Sequence, residues 1–195
     1  MVSVTKGKDT QQYVSLERRR IVNIRIAGTE FSLKNKSFEI YIQGCYRKCP
    51  GCHNPGTQPF TGGRLVNIYD YIAEQYYKIE PYIDNGLVKN IYISGGDLMC
   101  QDEEKAIEFS SLISFWFHPP LHPWLFTGAD ENRIPSWVWH YYDIVKCGAY
   151  REDMRNPEGT FPASSNQKLL FNKYVDQDII NNIDFKGEKI YGNKI

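Results

Sequence analysis

The sequence has no excess charge of either sign. Lys and Arg number 23 and so do Asp and Glu, so the formal net charge is zero and the pI lies near 6.9. That balance argues against a general nucleic-acid binder, which carries a basic excess or stripe, and against a long disordered tail. Long hydrophobic runs are missing too. The most apolar stretch, residues 111–126, is broken by His118-Pro119-Pro120 and His122-Pro123. It falls far short of the roughly 20 apolar residues of a membrane span. The opening MVSVTKGKDTQQ lacks the apolar segment of a secretory signal. The expectation is a cytoplasmic protein without a membrane partner and with no direct nucleic-acid partner. Cysteine is sparse, at five residues. In a reducing compartment such thiols serve metals or catalysis rather than a disulfide framework.

No repeat or composition break divides the 195 residues, which suit one domain. Residues 1–20 are polar and end in three arginines, read as a flexible arm. Residues 21–172 form the core domain and residues 173–195 a C-terminal extension. Within the core, residues 21–27 and 37–43 alternate with period two and predict strands. Residues 44–63 hold five Gly, three Pro and three Cys and predict a loop. Apolar residues at spacings of three and four predict a helix over 65–79. Residues 90–94 predict a buried strand ending at Gly95-Gly96. A second helix over 102–117 has acids in its first turn, where the helix dipole favours them. Strands follow at 124–127 and 142–147, with a helix over 132–140 between them and a further strand at 168–171. This alternation predicts an α/β fold with a parallel sheet. Ligands in such folds bind at the carboxyl ends of the strands, where the cysteine loop and Gly95-Gly96-Asp97 would share one rim.

The strongest signal is Cys45-Tyr46-Arg47-Lys48-Cys49-Pro50-Gly51-Cys52, three thiols spaced C-x3-C-x2-C. Thiolates select zinc, copper(I) or iron–sulfur clusters. A structural zinc site needs four ligands, so Cys100 or Cys147 would have to join from afar. Cys49-Pro-Gly-Cys52-His53 also matches the spacing of c-type haem attachment, a chemistry that belongs outside the cytosol. A four-iron cluster on three cysteines would leave one iron open, in the way that catalytic metal sites keep a position free.

The loop resembles that of the radical S-adenosylmethionine (SAM) superfamily. Further pieces are Cys49-Pro50-Gly51-Cys52-His53-Asn54-Pro55, Gly62-Gly63, Ser94-Gly95-Gly96-Asp97, Leu125-Phe126-Thr127-Gly128 and Ser164-Ser165-Asn166-Gln167. Together these are similar to the activating enzymes of anaerobic, class III ribonucleotide reductases, over about residues 21–172. The resemblance implies an incomplete parallel β/α barrel of the radical SAM type. It implies one [4Fe–4S] cluster on Cys45, Cys49 and Cys52, with S-adenosyl-L-methionine on the open iron. Reductive cleavage to a 5′-deoxyadenosyl radical would generate a glycyl radical on the large catalytic subunit of the reductase. A flavodoxin-like protein is the implied electron donor. An activase of another glycyl-radical enzyme, such as pyruvate formate-lyase, has the same chemistry. A non-catalytic zinc-binding adaptor is the rival of a different class.

By the same resemblance the cofactor-binding residues are Gly51, Cys52, His53, Ser94, Gly95, Gly96, Asp97 and Thr127. Gly95 and Gly96 would let backbone approach the methionine end of SAM, and Asp97 would accept a hydrogen bond from its ammonium. The family usually shows Asp where Cys147 stands, which sets that position apart. Cys100 and Cys147 are read as buried thiols, and His118, His122 and His140 as packing residues; Lys146 has two readings, facing the same rim or, as is commoner for a strand lysine, facing solvent.

Overall fold

Alternation of apolar side chains across a central sheet sets the architecture. In the computed structural model the described residues are 21–158, 160–175 and the backbone of 192–194. The expected arm, residues 1–20, and most of the expected extension lie outside them. Strands β1 (Asn23–Ser32), β2 (Ser37–Ile42), β3 (Arg64–Asn67), β4 (Asn90–Gly95), β5 (His122–Phe126), β6 (Ile144–Cys147), β7 (Lys168–Phe171) and β8 (Gly192–Lys194) form one sheet. Their order is β3-β1-β2-β4-β5-β6-β7-β8. The neighbours β2, β4, β5 and β6 run parallel. β1 is antiparallel to β2 and β3, and β7 is antiparallel to β6. The chain is therefore a single α/β domain with a mixed sheet, parallel at its centre. No helix among the described residues is long and apolar enough to cross a membrane.

Two helices cover one face. Helix α1 (Ile68–Asp84) starts where the Asn67 side chain accepts from the amides of Tyr69 and Asp70, a side-chain cap on otherwise orphan donors. It buries Ile68, Tyr71, Ile72, Tyr76 and Ile79, one stripe at helical spacing. Helix α2 (Glu103–Phe117) is capped by Asp102 and buries Phe109, Leu112, Ile113, Trp116 and Phe117. These stripes meet Ile40, Ile42, Ile91, Ile93, Leu125 and Val145, the helix-side residues of the parallel strands. The intervening residues point the other way, as strand geometry requires. Tyr92, Trp124, Ile144, Leu169 and Phe171 build a smaller cluster on that second face, with Phe126 and Phe161 against it.

Two expectations need correction. Residue Leu65 lies on strand β3 and is 56% exposed, so the helix begins three positions later than its spacing suggests. Pairing of Leu65 with Arg25 on β1 overrides the local pattern. Residues 132–140 form no α-helix but two short 3-10 turns, Glu131–Arg133 and Ser136–His140. Pro135 disfavours helical geometry at Ile134 and divides them. The third crossover is thus covered without an α-helix.

Candidate functional site

The cysteine loop leaves the carboxyl end of β2 and is built by a buried amide. Gln43 is 2% exposed, and its Nε2 donates to the carbonyls of Gly56 and Pro59 at 3.1 and 2.6 Å. Backbone bonds from Gly44 to Thr57 and from Cys45 to Gln58 close the loop. Gly44 and Gly51 take left-handed φ values of 108° and 68°, where only glycine is unstrained. The loop opens on a cavity of about 720 Å³ at the carboxyl ends of β2, β4, β5 and β6. Its lining includes Cys45, Cys49, Gly51, Cys52, His53, Ser94, Gly95, Gly96, Asp97 and Thr127. The structure therefore gathers every residue that the sequence singled out as metal- or cofactor-binding around one space.

Asp97 sits at the hub and is 2% exposed. Its Oδ2 accepts from Arg47 Nε at 2.7 Å, Thr127 Oγ1 at 3.0 Å and the Gly128 amide at 3.0 Å. Its Oδ1 accepts from the Met99 amide at 2.9 Å. The carboxylate is thus engaged by the protein itself, and Thr127 spends its hydroxyl proton on it. This differs from a free acid and a free hydroxyl at the rim. Arg47, inside the cysteine loop, is the partner that sequence reading missed. A cation between two cysteines reads as solvated charge, and its only signal was an acid expected on the same rim.

Gly95 and Gly96 also have a reason beyond ligand approach. A Cβ on Gly96 would lie 2.5 Å from the Gly44 carbonyl oxygen, and one on Gly95 2.9 Å from that of Ile42. The end of β4 therefore packs directly on the start of the cysteine loop. Gly96 donates to the Ile42 carbonyl at 2.7 Å and Asp97 to that of Gly44 at 3.1 Å.

The thiols are not equivalent. Cys100, buried in the 3-10 turn after Asp97, lies 4.0 Å from Cys45 Sγ. The hydrogen bond from its thiol, together with the Arg47 amide and guanidinium, holds the Cys45 thiol well below its ordinary range. The same bond, with burial and the Asp97 charge, pushes Cys100 up. Burial raises Cys49. Cys45, Asp97 and Cys100 offer ligand atoms within 4.8 Å of one another; among the described residues the three loop cysteines do not gather so tightly. Cys100 does not line the cavity, and Cys147 is buried on the helix side of β6.

Lys146 takes the rim-facing one of its two expected places. It lines the cavity rather than facing solvent. Its Nζ lies 5.6 Å from the Phe126 ring centroid, and burial lowers its pKa. Ser94 Oγ, on the same inner face, is buried with no hydrogen-bond partner. Buried polar atoms are ordinarily satisfied, so this orphan calls for a ligand group. Three thiols, an orphan hydroxyl and a cation at one cavity fit an iron–sulfur cluster carrying a polar, zwitterionic co-ligand. Asn166 and Gln167 brace the far wall through the carbonyls of Ala149 and Gly148, at 2.9 and 3.0 Å.

A family described as "4Fe-4S single cluster domain" matches residues 33–170, well over half of the sequence. The chain belongs to that family. This 4Fe-4S single cluster domain is 24% identical over 135 residues to the anaerobic ribonucleoside-triphosphate reductase-activating protein of Enterobacteria phage T4. That alignment covers 68% of this chain and 82% of the phage protein. The Escherichia coli K12 protein of the same name is 25% identical over 138 residues, covering 66% of this chain and 83% of the relative. A shorter likeness, 30% over 64 residues, reaches the pyruvate formate-lyase-activating enzyme of Clostridium pasteurianum; it covers 33% of this chain and 26% of that enzyme. The 4Fe-4S match runs from before β2 into β7 and so contains the three loop cysteines, Ser94, Gly95, Gly96, Asp97, Thr127 and Lys146.

Proposed function

We propose that this protein is a radical SAM enzyme that activates an anaerobic ribonucleotide reductase, and that its sheet is the partial barrel of that superfamily. The observation that carries the reading is the convergence of Cys45, Cys49 and Cys52 on one cavity whose inner wall holds the unpartnered Ser94 hydroxyl. The three cysteines would hold one [4Fe–4S] cluster, leaving an iron for S-adenosyl-L-methionine. When bound and reduced, these cofactors supply the 5′-deoxyadenosyl radical that removes hydrogen from a glycine of the reductase's large catalytic subunit.

The chain's own residues bind, orient and shield. Cys45, held toward the thiolate by its neighbours, is poised to ligate iron. Ser94 and Lys146 answer the polar methionine end of SAM, the lysine toward its carboxylate. Gly51 and His53 border the adenine side. Gly95, Gly96, Asp97 and Thr127 fix the rim, with Asp97 setting the position of the loop through Arg47 and offering its remaining acceptor capacity to the SAM ammonium. The open side of the cavity admits an extended segment of the partner. A flavodoxin-like donor in the cytoplasm is the proposed electron source.

The test is anaerobic incubation of the reconstituted protein with SAM, a reductant and the candidate reductase, followed by electron paramagnetic resonance. A doublet glycyl signal on the reductase is the expected result. A signal only on a pyruvate formate-lyase type partner would redirect the substrate. Colourless, anaerobically prepared protein with one zinc on the cysteines would instead make it an adaptor.

A further inference from the structure

At the opposite end of the sheet, the turn from α2 into β5 reads His118-Pro119-Pro120-Leu121-His122-Pro123. Leu121 is fully buried and anchors the middle of this turn. Its amide donates to the Phe117 carbonyl at 2.8 Å, and the His122 amide to that of Lys89 at 2.9 Å. Three prolines restrict φ around the anchor. The two histidines are consequently held on one side of a stiff turn, with ring centroids 6.4 Å apart. Asp143, just before β6, faces them. Its backbone is fixed on both sides, donating to the Pro123 carbonyl at 2.9 Å and accepting from the Asn172 amide at 2.8 Å. His122 Nδ1 lies 2.8 Å from Asp143 Oδ2 and His118 Nδ1 lies 3.9 Å from the same oxygen.

We propose that His118, His122 and Asp143 form a binding site for one divalent cation of the zinc class, at the end of the sheet remote from the cysteine loop. Ligand atoms of the three residues already lie within 4.8 Å of one another. A tetrahedral ion with metal–ligand distances near 2.0–2.1 Å separates its ligands by about 3.3 Å, and the two measured separations bracket that value. Two imidazoles and one carboxylate suit zinc and its first-row neighbours rather than magnesium or calcium, which take oxygen ligands. The side chains of His118, His122 and Asp143 are 38%, 27% and 15% exposed, so an ion can enter and keep water in its remaining positions.

The proton accounting is simple. His118 Nδ1 lies 2.9 Å from the Leu121 carbonyl, and His122 Nδ1 contacts Asp143. Each nitrogen donates there, so Nδ1 ligation needs a shift of each proton to Nε2, with no net release. Bound metal would tie the α2–β5 turn to the start of β6. The cluster histidines thus depart from the packing role that their apolar sequence context suggests.

The experiment is a titration of the reconstituted iron–sulfur protein with Zn2+ alone, followed by isothermal calorimetry and zinc K-edge absorption. One saturable zinc per chain with a nitrogen and oxygen shell and no sulfur is expected. The double variant H118Q/H122Q should bind at least about 10-fold more weakly, since even outer partners of a metal site are worth 10–100-fold in affinity. If that variant does not fold, His118→Gln alone serves, because His118 is the most exposed of the three. Absence of saturable binding, sulfur in the zinc shell, or unchanged affinity in the variant would overturn the proposal. None of these outcomes depends on cleavage of SAM.

Discussion

Arg47 Nε and Asp97 Oδ2 are 2.7 Å apart across fifty positions of sequence, and this contact fastens the cysteine loop to the end of β4. The loop's shape therefore depends on a carboxylate that belongs to a different strand.

Replacing Asp97 with Asn keeps the shape of the side chain and removes its charge. Arg47, 20% exposed, then loses its counter-ion in a largely dry setting. The expected cost is about 2–3 kcal/mol, below that of breaking a fully buried pair because some water reaches the guanidinium. Urea unfolding of the two proteins measures it. Iron retained after reconstitution should fall as well, because the loop is less well held. A variant with unchanged stability and full iron would show that the ion pair does not organise the loop.

Much of this site was legible because its chemistry is local. Three thiols within eight residues declare a metal loop wherever the chain goes, and Gly95-Gly96-Asp97 ends a strand whose apolar run is plain. What the sequence concealed depends on long-range contact. Arg47 and Lys146 are ordinary surface residues by type; only the sheet brings one to Asp97 and turns the other into the cavity. Gln43 is the same case, a buried amide whose partners lie thirteen and sixteen residues away. Leu65 fits the helical period of α1, yet pairing with β1 claims it as strand. Residues 132–140 fill a crossover where strand alternation predicts a helix, but Pro135 leaves only two short 3-10 turns there.

Cys100 gives the sharpest test of the ligand set. It lies beside Cys45 but outside the cavity lining. Cys100→Ser should keep about four irons per chain in reconstituted protein, whereas Cys49→Ala should lose the cluster and its broad visible absorption. The serine variant should still bind iron more slowly, because the weaker match of hydroxyl to sulfur reduces the support that holds Cys45 toward the thiolate. Loss of all iron in Cys100→Ser would make it a ligand and close the open iron on which the proposed reaction depends.

The glycines of the rim predict a contrast between two alanines. At Gly96 a Cβ would meet the Gly44 carbonyl oxygen at 2.5 Å, and that atom is backbone. Gly96→Ala should cost about 1–3 kcal/mol, the usual penalty of overpacking, and should loosen the cysteine loop. At Gly28, on β1, nothing lies within 4 Å of the added carbon. Gly28→Ala should be neutral, or stabilising by up to about 1 kcal/mol through the unfolded chain. Thermal melts of the pair decide it; equal losses at both positions would mean that the close approach of β4 to the loop is not what requires glycine.

Lys146 brings stability and function into opposition. Burial lowers its pKa, with partial relief from Asp97 and from the thiols of Cys147, Cys49 and Cys52. A lysine whose folded pKa lies below its unfolded value opposes folding wherever the unfolded chain binds the extra proton. That penalty is present at neutral pH and fades as pH rises toward the ordinary lysine range. Lys146→Met keeps the length of the stem and removes the charge. At pH 7 it should stabilise the protein, by about 1 kcal/mol on the experience that buried charges replaced by apolar groups often raise stability. The gain should shrink as the solution is made alkaline. Over the same substitution the affinity for SAM should fall at least about 10-fold, the worth of a lost charge-assisted hydrogen bond of about 1.5 kcal/mol. Denaturant titration at two pH values and equilibrium binding of SAM to the reconstituted protein measure the two effects on one variant. A destabilised variant with normal SAM affinity would mean that the lysine serves the cavity wall and not the ligand.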